Sequence, residues 1–369
     1  MTVPYPISPT ERTRWIVEHR SGRNVVDPFR PYAFFREREQ SESGEIVDVG
    51  TILLTNRECP WHCLMCDLWR NTLTDTVPLG AIPTQIDHAL KALGHIDSVG
   101  RAALPARIDV ESTPCHPLRV DPTENGSMAP DRAGGQGCPP YGAIRLRQIK
   151  LYNSGSFFDP RAIPLEDHTA IADRLRDFER VIVECHPTLV TEQILSFRDQ
   201  LTPQLEVAMG LETAHPEILE KLNKRMTLGQ FRRAADFLSE HDIALRVFVL
   251  VQPPFLDEAE ALGWANRSTD FAFDCGATLV SLIPTRLGNG ALETLATSGQ
   301  FSEPHLATLE AAHAHGIALK RGRVFADLWD LQRFSSCDRC FQARRDRLER
   351  MNLNQTVEPS VKCECERER

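Results

Sequence analysis

The sequence lacks a hydrophobic run of the length that crosses a bilayer, and its opening residues, MTVPYPISPTERTRW, lack the apolar core of a secretion signal. It also lacks an excess of positive charge, because 51 Asp and Glu outnumber 42 Lys and Arg and leave a net charge of −9. This balance disfavours extended non-specific binding to nucleic acid, although it leaves room for a local basic patch. We therefore expect a cytoplasmic protein without a membrane partner.

Cysteine is what the sequence has in quantity, with 11 residues in a chain of 369. Without a secretion signal, that number indicates a reducing compartment, where thiols more commonly bind metals or take part in catalysis than form disulfides. The length and a hydrophobic content of 41% are enough to bury the core of one large α/β domain or of two smaller ones.

Six short apolar runs alternate with amphipathic segments along the central part of the chain, and each is largely Val, Ile and Leu, as in strands buried on both faces. The runs are Gly50–Thr55, Ile149–Asn153, Val181–Cys185, Leu205–Gly210, Leu245–Val251 and Thr278–Ile283. Helices are predicted near Pro9–Arg20, Asp167–Phe178, Leu228–Glu240, Glu303–Gly316 and Phe341–Met351. The alternation predicts an α/β protein with a parallel sheet, open or partly closed like a barrel, and with functional groups at the carboxyl ends of its strands.

Three regions follow from this pattern: an N-terminal arm over residues 1–46, a barrel-like domain over 47–320 and a C-terminal cysteine-rich module over 321–369. The arm is rich in Arg and aromatic residues, so it either binds a polyanion or docks on the main domain. Within the domain, residues 102–147 are rich in Pro and Gly and predict a long loop or insertion, either a functional lid or a disordered segment.

The stretch Asn56–Trp69, NRECPWHCLMCDLW, places Cys59, Cys63 and Cys66 directly after the first predicted strand. Three thiolates in one loop can ligate three irons of a [4Fe–4S] cluster and leave the fourth iron open to an outside ligand. A structural zinc loop is an alternative, but zinc needs a fourth ligand, and His62 is awkwardly placed beside a cysteine for tetrahedral geometry. Chance clustering of buried cysteines is a third interpretation.

Through these three cysteines the chain resembles the radical SAM superfamily, and the likeness covers residues 47–320. The resemblance implies a partial (β/α)6 barrel of the TIM type, which agrees with the six predicted strands. It also implies that S-adenosylmethionine chelates the open iron, that an electron from the cluster cleaves its sulfonium bond, and that a 5′-deoxyadenosyl radical abstracts hydrogen from an unreactive C–H bond. An electron donor such as a flavodoxin or a ferredoxin is implied as a partner.

The resemblance further implies residues that bind S-adenosylmethionine. Met65 matches the position before the third cysteine, whose backbone lies against the adenine in that superfamily. Ser154 and Gly155 match the second-strand motif that grips the methionyl amino group, and the acidic member of that motif is absent here.

Glu212, Lys224 and Arg225 match the fourth-strand region of the elongator-catalytic-subunit-like branch, where polar and basic residues touch the ribose and the carboxylate of the cofactor. Surface charge around a turn is the alternative interpretation of these residues. Glu184 and His186 end the third predicted strand, so a carboxylate and an imidazole there would face the cavity mouth and could serve cofactor or substrate.

Within the superfamily, the chain resembles the radical SAM family of archaeosine formation in transfer RNA. The shared features are the Cys-Pro-Trp start, Met-Cys-Asp-Leu-Trp at Met65–Trp69, Ser-Gly-Ser-Phe at Ser154–Phe157 and the Glu-x-His-Pro turn at Glu184–Pro187. The resemblance implies a modified transfer-RNA nucleoside as the substrate and transfer RNA as a partner.

Two close pairs of cysteines lie near the C-terminal end, Cys337 with Cys340 and Cys363 with Cys365, and a helix is predicted between them. Four thiolates in this pattern suit a tetrahedral zinc site or an auxiliary iron–sulfur cluster, and ordinary reduced thiols are the remaining interpretation. Five arginines decorate the segment: Arg339, Arg344, Arg345, Arg347 and Arg350. They either grip an RNA backbone or form a solvated, salt-bridged helix face.

The leading hypothesis is therefore a radical SAM enzyme that functionalises a C–H bond, with a modified nucleoside in transfer RNA as the favoured substrate. A second hypothesis keeps the radical chemistry but changes the substrate to a small metabolite or peptide, which the acidic balance and the inserted segment favour. A third is a non-enzymatic iron–sulfur or zinc protein that senses redox state or assembles with a partner.

Overall fold

The computed structural model describes residues 4–95 and 145–363. Most of the predicted 102–147 insertion lies outside the described residues, together with Cys115, Cys138 and Cys365. The described chain is built around one eight-stranded sheet that curls into a half-barrel, and its strands follow one another across the sheet in chain order.

The strands are β1 (Ala33–Gln40), β2 (Ile46–Leu54), β3 (Gln148–Asn153), β4 (Arg180–Glu184), β5 (Gln204–Glu212), β6 (Ala244–Val251), β7 (Leu279–Pro284) and β8 (Arg323–Ala326). The α-helices are α1 (Pro9–Glu18), α2 (Ala81–Ala92), α3 (His168–Leu175), α4 (Glu192–Arg198), α5 (Pro216–Lys221), α6 (Leu228–Glu240), α7 (Glu258–Asp274), α8 (Ala291–Thr297), α9 (Leu306–Ala318) and α10 (Asp338–Asn354). Across the described ranges, none of these helices combines the length and apolarity needed to cross a bilayer.

The six predicted apolar runs correspond to β2 through β7, and each neighbouring pair among these strands is parallel. Their outward side chains form one core with the surrounding helices, as Leu151 of β3, Val207 of β5 and Val247 of β6 illustrate with no exposed surface. The predicted α/β fold with a partial barrel is confirmed, because β-strands rich in Val, Ile and Leu are stable when covered on both faces.

Two edge strands extend the sheet beyond the predicted limits of the barrel. β1 runs antiparallel to β2 within the segment interpreted as an N-terminal arm, and β8 runs parallel to β7 within the predicted C-terminal module. Half of the residues of β1, AFFREREQ, are charged, so the strand does not form an apolar run. β8 has only 4 residues, RVFA, which is too short for a periodicity to be recognised.

Side-chain caps fix where the helices between the strands begin. At α6, Thr227 and Gln230 form a reciprocal capping box, and at α7 the side chain of Asp257 accepts a hydrogen bond from the backbone N of Glu260 at 2.9 Å. Such a cap contributes about 1 kcal/mol to helix stability. Since Phe231 of α6 is fully buried against the sheet, the cap also sets which face of the helix meets the core.

Helix α10 lies along the seam between the two edge strands and contacts both β1 and β8. Two amide side chains near its C-terminal end bind the edge of β8 as a neighbouring strand would. Asn352 accepts from Ala326 N at 2.8 Å and donates to Ala326 O at 2.9 Å, and Gln355 accepts from Val324 N at 2.7 Å and donates to Val324 O at 3.0 Å. The exposed backbone of an edge strand is thereby satisfied within the chain.

A layer of buried ionic side chains fills the amino-terminal half of the barrel. Arg246 donates from Nε to Glu206 at 2.6 Å and from Nη2 to Glu39 at 3.0 Å. Lys150 also binds Glu39, and Arg180 binds Glu206 at 3.2 Å. Burial alone would raise the pKa of Glu39, but the charges of Arg246 and Lys150 outweigh burial and lower it to about 2. This ionic layer closes the floor of the barrel.

The carboxyl-terminal half of the barrel is accessible from outside. Along β7, Ser281 and Ile283 are half-buried while their neighbours are buried, which marks the inward face as open. The rings of Tyr152 from β3 and Phe248 from β6 meet edge to face across the interior, with centroids 5.8 Å apart, and both residues are half-buried. Above the ionic floor, aromatic side chains therefore line the inner face of the sheet.

Replacing Arg246 by leucine should destabilise the protein by about 3–5 kcal/mol, because Glu39 and Glu206 would be left as buried charges without their main partner. Denaturant unfolding measures this change, and Arg176→Leu, at a side chain 60% exposed, is the matched control. Because the pKa of Glu39 is depressed from 4.5 to about 2, its contribution to stability is present above pH 4.5 and is lost as the pH falls towards 2. An Arg246→Leu variant as stable as the control would contradict the assigned role.

Candidate active site

The loop that carries Cys59, Cys63 and Cys66 starts at the carboxyl end of β2. Its backbone is tied to a distant part of the barrel, since Leu64 N donates to Leu222 O at 2.9 Å at the end of α5. Within the loop, Cys66 N donates to Cys63 O at 3.2 Å. The loop therefore lies across the carboxyl ends of the barrel strands, where the α/β pattern predicts functional groups.

All three loop thiols are shielded from solvent, with Cys63 buried and Cys59 and Cys66 half-buried. Burial raises the pKa of each thiol, to about 12 for Cys66, and the charge of the neighbouring Cys63 raises the pKa of Cys59 and Cys66 further. Such thiols stay protonated at neutral pH unless a metal offsets the burial of their charge. Thiolates in this loop are therefore expected to form together with bound metal.

The spacing of the loop thiols distinguishes a cluster from a single ion. Among the described residues, one group of three possible ligands has all its ligand atoms within 4.8 Å, and it does not include the loop cysteines. Ligands of one ion must converge to that extent, whereas each thiolate on a cubane cluster binds a different iron. The wider separation fits the predicted [4Fe–4S] cluster better than a structural zinc loop.

Two buried asparagines hold the loop by its backbone carbonyl groups. Asn289 donates from Nδ2 to Leu64 O at 2.7 Å and to Cys66 O at 3.3 Å, and Asn223 donates to His62 O at 3.1 Å. These amides supply the hydrogen bonds that an irregular loop cannot make to itself. Sequence reasoning assigned neither residue a role, and the Gly-Asn-Gly turn around Asn289 is the only local signal of it.

Trp61 anchors the loop from the other side by stacking on His186, with ring centroids 3.9 Å apart and planes at 10°. His186 Nε2 lies 2.9 Å from the carbonyl oxygen of Lys224, which only accepts, so this nitrogen carries the ring proton. Burial and the nearby Lys224 charge lower the pKa of His186 to about 3, so the ring is neutral. His186 thus supports the loop and connects it to Lys224.

Gly155 follows β3 and brings the backbone directly against the first cysteine of the loop. Its φ is +135°, and a Cβ at this position would lie 2.8 Å from the Cβ of Cys59, so a side chain is excluded on both counts. Ser154 beside it is buried, and its backbone N lies 3.4 Å from Asn56 Oδ1. The structure therefore places the two predicted residues of the second-strand motif next to the cysteine loop.

Glu212 and Lys224 form an ion pair at the barrel mouth, with Nζ 2.6 Å from Oε1. The pair folds over Gly210, where a Cβ would lie 2.5 Å from Lys224 Nζ and closer still to the Glu212 carboxylate. Burial opposes the charge of Lys224, but Glu212, Cys63 and Cys59 outweigh it and raise the pKa. Glu212 holds a positive φ of 65°, the kind of backbone strain that persists where surrounding contacts enforce it.

Glu184 ends β4, and its Oε2 accepts a hydrogen bond from Asn153 N at 2.7 Å. Burial raises the pKa of Glu184 to about 8, while the bond from Asn153 and the charge of Lys224 lower it in part. A carboxyl group that is protonated near neutral pH can donate a hydrogen bond as well as accept one. The charges of Lys224 and Glu212 both affect the pKa of Glu184. The structure therefore brings these three predicted residues near one another.

Polar atoms without a hydrogen-bond partner concentrate at this edge of the sheet. Both side-chain polar atoms of Asn153 lack one among the described residues, and so do Thr55 Oγ1, Asn223 Oδ1 and Gln252 Oε1. Buried polar atoms in proteins nearly always have partners, so a group of unsatisfied ones marks a place where a polar molecule can bind. These residues therefore fit a polar cofactor beside the cysteine loop.

Two predicted residues are placed differently from the others. Met65 packs into a small apolar cluster beside Leu250 of β6, so its side chain covers the inner wall of the mouth. Arg225 is exposed and donates to Pro9 O at 2.5 Å and to Thr13 Oγ1 at 2.8 Å. Arg225 thus binds the N-terminal helix α1 and is not brought together with the ion pair at the mouth.

Tyr32 is a residue of this site that the sequence pattern did not identify. It precedes β1, which is antiparallel, so the start of β1 lies at the carboxyl end of β2, and Tyr32 N donates to Leu53 O at 3.0 Å. Burial raises the pKa of the phenol, and the charges of Glu184, Asp67 and Cys66 raise it further. Nothing in the local sequence reveals this placement, because it depends on which strand β1 pairs with.

The C-terminal cysteines form a second group, away from the loop. The Sγ atoms of Cys337, Cys340 and Cys363 lie within 4.8 Å of one another, and those of Cys337 and Cys363 are 3.9 Å apart. The structure thus brings together three of the four predicted thiols of the C-terminal module.

The arginines of α10 mostly bind groups of the same chain. Arg344 donates from Nε to Glu310 at 3.1 Å, and Arg350 donates from Nη2 to Glu358 at 2.8 Å. Arg347 donates to the carbonyl oxygen of Glu358 at 2.6 Å. Of the two interpretations of these arginines, the contacts favour a salt-bridged helix face over a surface that binds an RNA backbone.

No family model matches the chain. Archaeosine synthase subunit beta of Methanosarcina acetivorans is 30% identical over 165 residues, which are 43% of this chain and 47% of that protein. An uncharacterised protein of Methanocaldococcus jannaschii is 27% identical over 239 residues, 59% of this chain and 63% of that protein. The chain therefore spans less than two thirds of the length of these curated relatives.

Among solved structures, an N-terminally truncated Elp3 of Methanocaldococcus infernus superposes with a TM-score of 0.43 and 13% identity, over 56% of this chain and 55% of that one. The match to archaeosine synthase subunit beta confirms the resemblance to the archaeosine-related radical SAM family that the cysteine loop indicates.

Replacing Asn289 by alanine should lower the iron that the loop retains after anaerobic reconstitution by about tenfold or more, since groups that orient ligands typically affect metal affinity to that extent. Iron per chain and the electron paramagnetic resonance signal measure the effect. Asn354→Ala, at an exposed position of α10, is the control. Equal iron content in the two variants would show that the loop does not depend on the Asn289 amide.

Replacing Glu184 by glutamine should remove a pH dependence of stability. The folded-state pKa of about 8 lies above the ordinary 4.5, so between these two pH values the folded protein binds a proton that the unfolded chain has released. The free energy of unfolding therefore falls as the pH rises through this window. Thermal unfolding of the protein before cluster reconstitution, at about pH 5 and about pH 8.5, should show a smaller decline for Glu184→Gln than for the wild type. Glu192→Gln, at an exposed position, should decline as the wild type does. The same decline in all three proteins would place the Glu184 pKa near its ordinary value.

Proposed function

We propose that this chain is a radical SAM enzyme, which binds a [4Fe–4S] cluster and S-adenosylmethionine at the open end of the half-barrel and functionalises a substrate C–H bond. The observation that carries the proposal is the cysteine loop itself. Cys59, Cys63 and Cys66 lie at the carboxyl end of β2, are shielded from solvent, and are fixed through their backbone by Asn223 and Asn289. The similarity to archaeosine synthase subunit beta supports the same class of enzyme.

The three loop thiols would hold the cluster, and the polar groups around them would hold S-adenosylmethionine. When bound, the cluster would supply the electron for cleavage of the sulfonium bond, and S-adenosylmethionine would supply the radical chemistry at the substrate C–H bond. The chain supplies position and shielding. Gly155 lets the backbone after β3 pass directly against Cys59, since a side chain at this position would collide with that cysteine.

Lys224 is the cation that the site offers to a ligand carboxylate. Its ammonium group remains charged because the Glu212 carboxylate outweighs the effect of burial and raises the pKa of Lys224. Glu212 in turn is held against it at 2.6 Å and can turn its free oxygen to a ribose hydroxyl. Glu184, protonated near neutral pH, can donate a hydrogen bond to the cofactor or the substrate, and Met65 presents its backbone at the mouth.

The favoured substrate is a modified nucleoside in transfer RNA. A relative that bears the name archaeosine synthase subunit beta supports this choice. The half-buried rings of Tyr152 and Phe248, on the inner face of the sheet, also offer aromatic surface against which a base can stack. A small metabolite or peptide is the second candidate, because the net charge of −9 does not favour binding to a polyanion. The proposal includes a cytoplasmic location, a flavodoxin or ferredoxin as the electron donor, and zinc or an auxiliary cluster at the C-terminal cysteines.

Anaerobically reconstituted protein given a reductant and S-adenosylmethionine should produce 5′-deoxyadenosine, because the three-cysteine loop leaves one iron open to the cofactor. Chromatography of the quenched reaction measures the product, and a Cys59→Ala variant is the control. Product no higher than in that variant would overturn the proposal. Addition of S-adenosylmethionine should also change the electron paramagnetic resonance signal of the cluster, and an unchanged signal would favour a redox or assembly protein with a closed cluster.

Loss of this protein should change the modified nucleosides of transfer RNA in its host, and the purified protein should retard bulk transfer RNA in gels at low salt. The retardation should weaken steeply as salt is added, since phosphate contacts release counterions. An unchanged nucleoside profile, together with radical chemistry in vitro, would favour the small metabolite or peptide.

A further inference from the structure

Cys337, Cys340 and Cys363 come from three points of the C-terminal module. Cys337 occupies the N-cap of α10, Cys340 lies in the first turn of that helix, and Cys363 lies on the tail that returns after it. All three Sγ atoms lie within 4.8 Å of one another. Thiols on separate segments converge in this way either around a common ligand or within a packed core. Because only Cys340 of the three is buried, a packed core does not explain the convergence.

The distance between Cys337 Sγ and Cys363 Sγ, 3.9 Å, points to a single ion. Four sulfurs at about 2.3 Å from a tetrahedral zinc ion lie about 3.8 Å from one another. The thiolates of an auxiliary cubane cluster would stand farther apart, because each binds a different iron. The spacing also contrasts with that of the loop cysteines at the barrel mouth, which do not converge within 4.8 Å.

The charge around the site also suits thiolates. Burial lowers the pKa of Arg344, but Glu310 and, to a smaller extent, Cys340 outweigh burial and raise it. A zinc ion with three thiolate ligands carries a net negative charge, which an adjacent guanidinium offsets. A further cysteine of the sequence, Cys365, lies outside the described residues.

What the site would hold in place is α10, the helix that covers the seam between β1 and β8. The tail that carries Cys363 is bound back to the helix by Arg347, which donates to Glu358 O at 2.6 Å. At the other end of α10, Asn352 and Gln355 bind the backbone of β8. The cysteine site and the amide clamp therefore secure opposite ends of one helix.

We propose that Cys337, Cys340 and Cys363 supply three thiolates to one ion of the zinc class, and that this ion fixes α10 across the open seam of the half-barrel. The site is structural, because its thiolates belong to the helix and tail that close the barrel and not to the mouth. The proposal does not depend on the chemistry at the cysteine loop.

Metal content tests the identity of the ligand. Full-length protein, expressed with zinc and iron and then reconstituted with iron and sulfide, should contain about one zinc per chain by elemental analysis. Cys337→Ser and Cys340→Ser should lose this zinc and keep their iron, whereas Cys59→Ala should lose iron and keep zinc. Cys275→Ser, at a cysteine outside both groups, should keep both metals. Loss of iron in place of zinc from Cys337→Ser would establish an auxiliary cluster, and a zinc-free wild type with a disulfide by mass spectrometry would exclude a metal site; either result overturns the proposal.

Hydrogen exchange tests the role of the ion in the wild-type chain, so the result does not depend on a variant that folds poorly. The amide of Ala326 binds Asn352 of α10, and that of Val324 binds Gln355, the residue that caps α10. The amides of Arg323 and Asp327 bind Thr278 O and Leu282 O on the β7 side. Zinc chelation should speed exchange at the first two amides by at least about tenfold and leave the other two protected. Unchanged exchange at Val324 and Ala326, or equal loss of protection at all four amides, would overturn the assignment of the ion to the seam.

Discussion

The structure depends on the buried ion network that joins Arg246, Glu39 and Glu206 across the inside of the half-barrel. A half-barrel needs filling at one end and space at the other, and this network fills the amino-terminal end with groups that satisfy one another. Because a buried charge is tolerated only with its partner, the strands that supply these residues are held in one register. The network also joins the antiparallel strand β1 to the parallel sheet, so a segment rich in charge becomes part of the barrel.

The open end of the barrel presents the opposite problem, since a loop without regular structure must hold three thiols in a fixed arrangement. Side chains from distant parts of the chain solve it. Asn289 and Asn223 donate to loop carbonyl oxygens, and Trp61 stacks on His186, which in turn binds the backbone at Lys224. The cysteine loop, the Glu212–Lys224 ion pair and the turn after β4 are thus connected, so a substitution at one of them should alter the positions of the others.

Much of the architecture was open to prediction because parallel strands buried on both faces carry an unmistakable run of apolar residues. All six of those runs are strands, and the cysteine loop follows the first of them as expected. The edges were not predicted, because β1 faces an ionic interior and β8 is short. In the site, the strand-end pattern indicated Glu184, and the family resemblance indicated Glu212 and Lys224, which the structure places near one another. Arg225 binds α1 instead, and Tyr32 enters the site only through antiparallel pairing.

The sequence by itself determined the class of fold and the position of the cysteine loop after the first parallel strand, because hydrophobic periodicity and the spacing of three thiols are local properties of the chain. The tertiary structure decided which polar groups surround that loop. The Asn289 amide reaches Cys66 from 223 residues away in sequence, and Arg246 reaches Glu39 from 207 residues away. Contacts over such separations depend on strand order and on curvature of the sheet, which no local pattern of residues encodes.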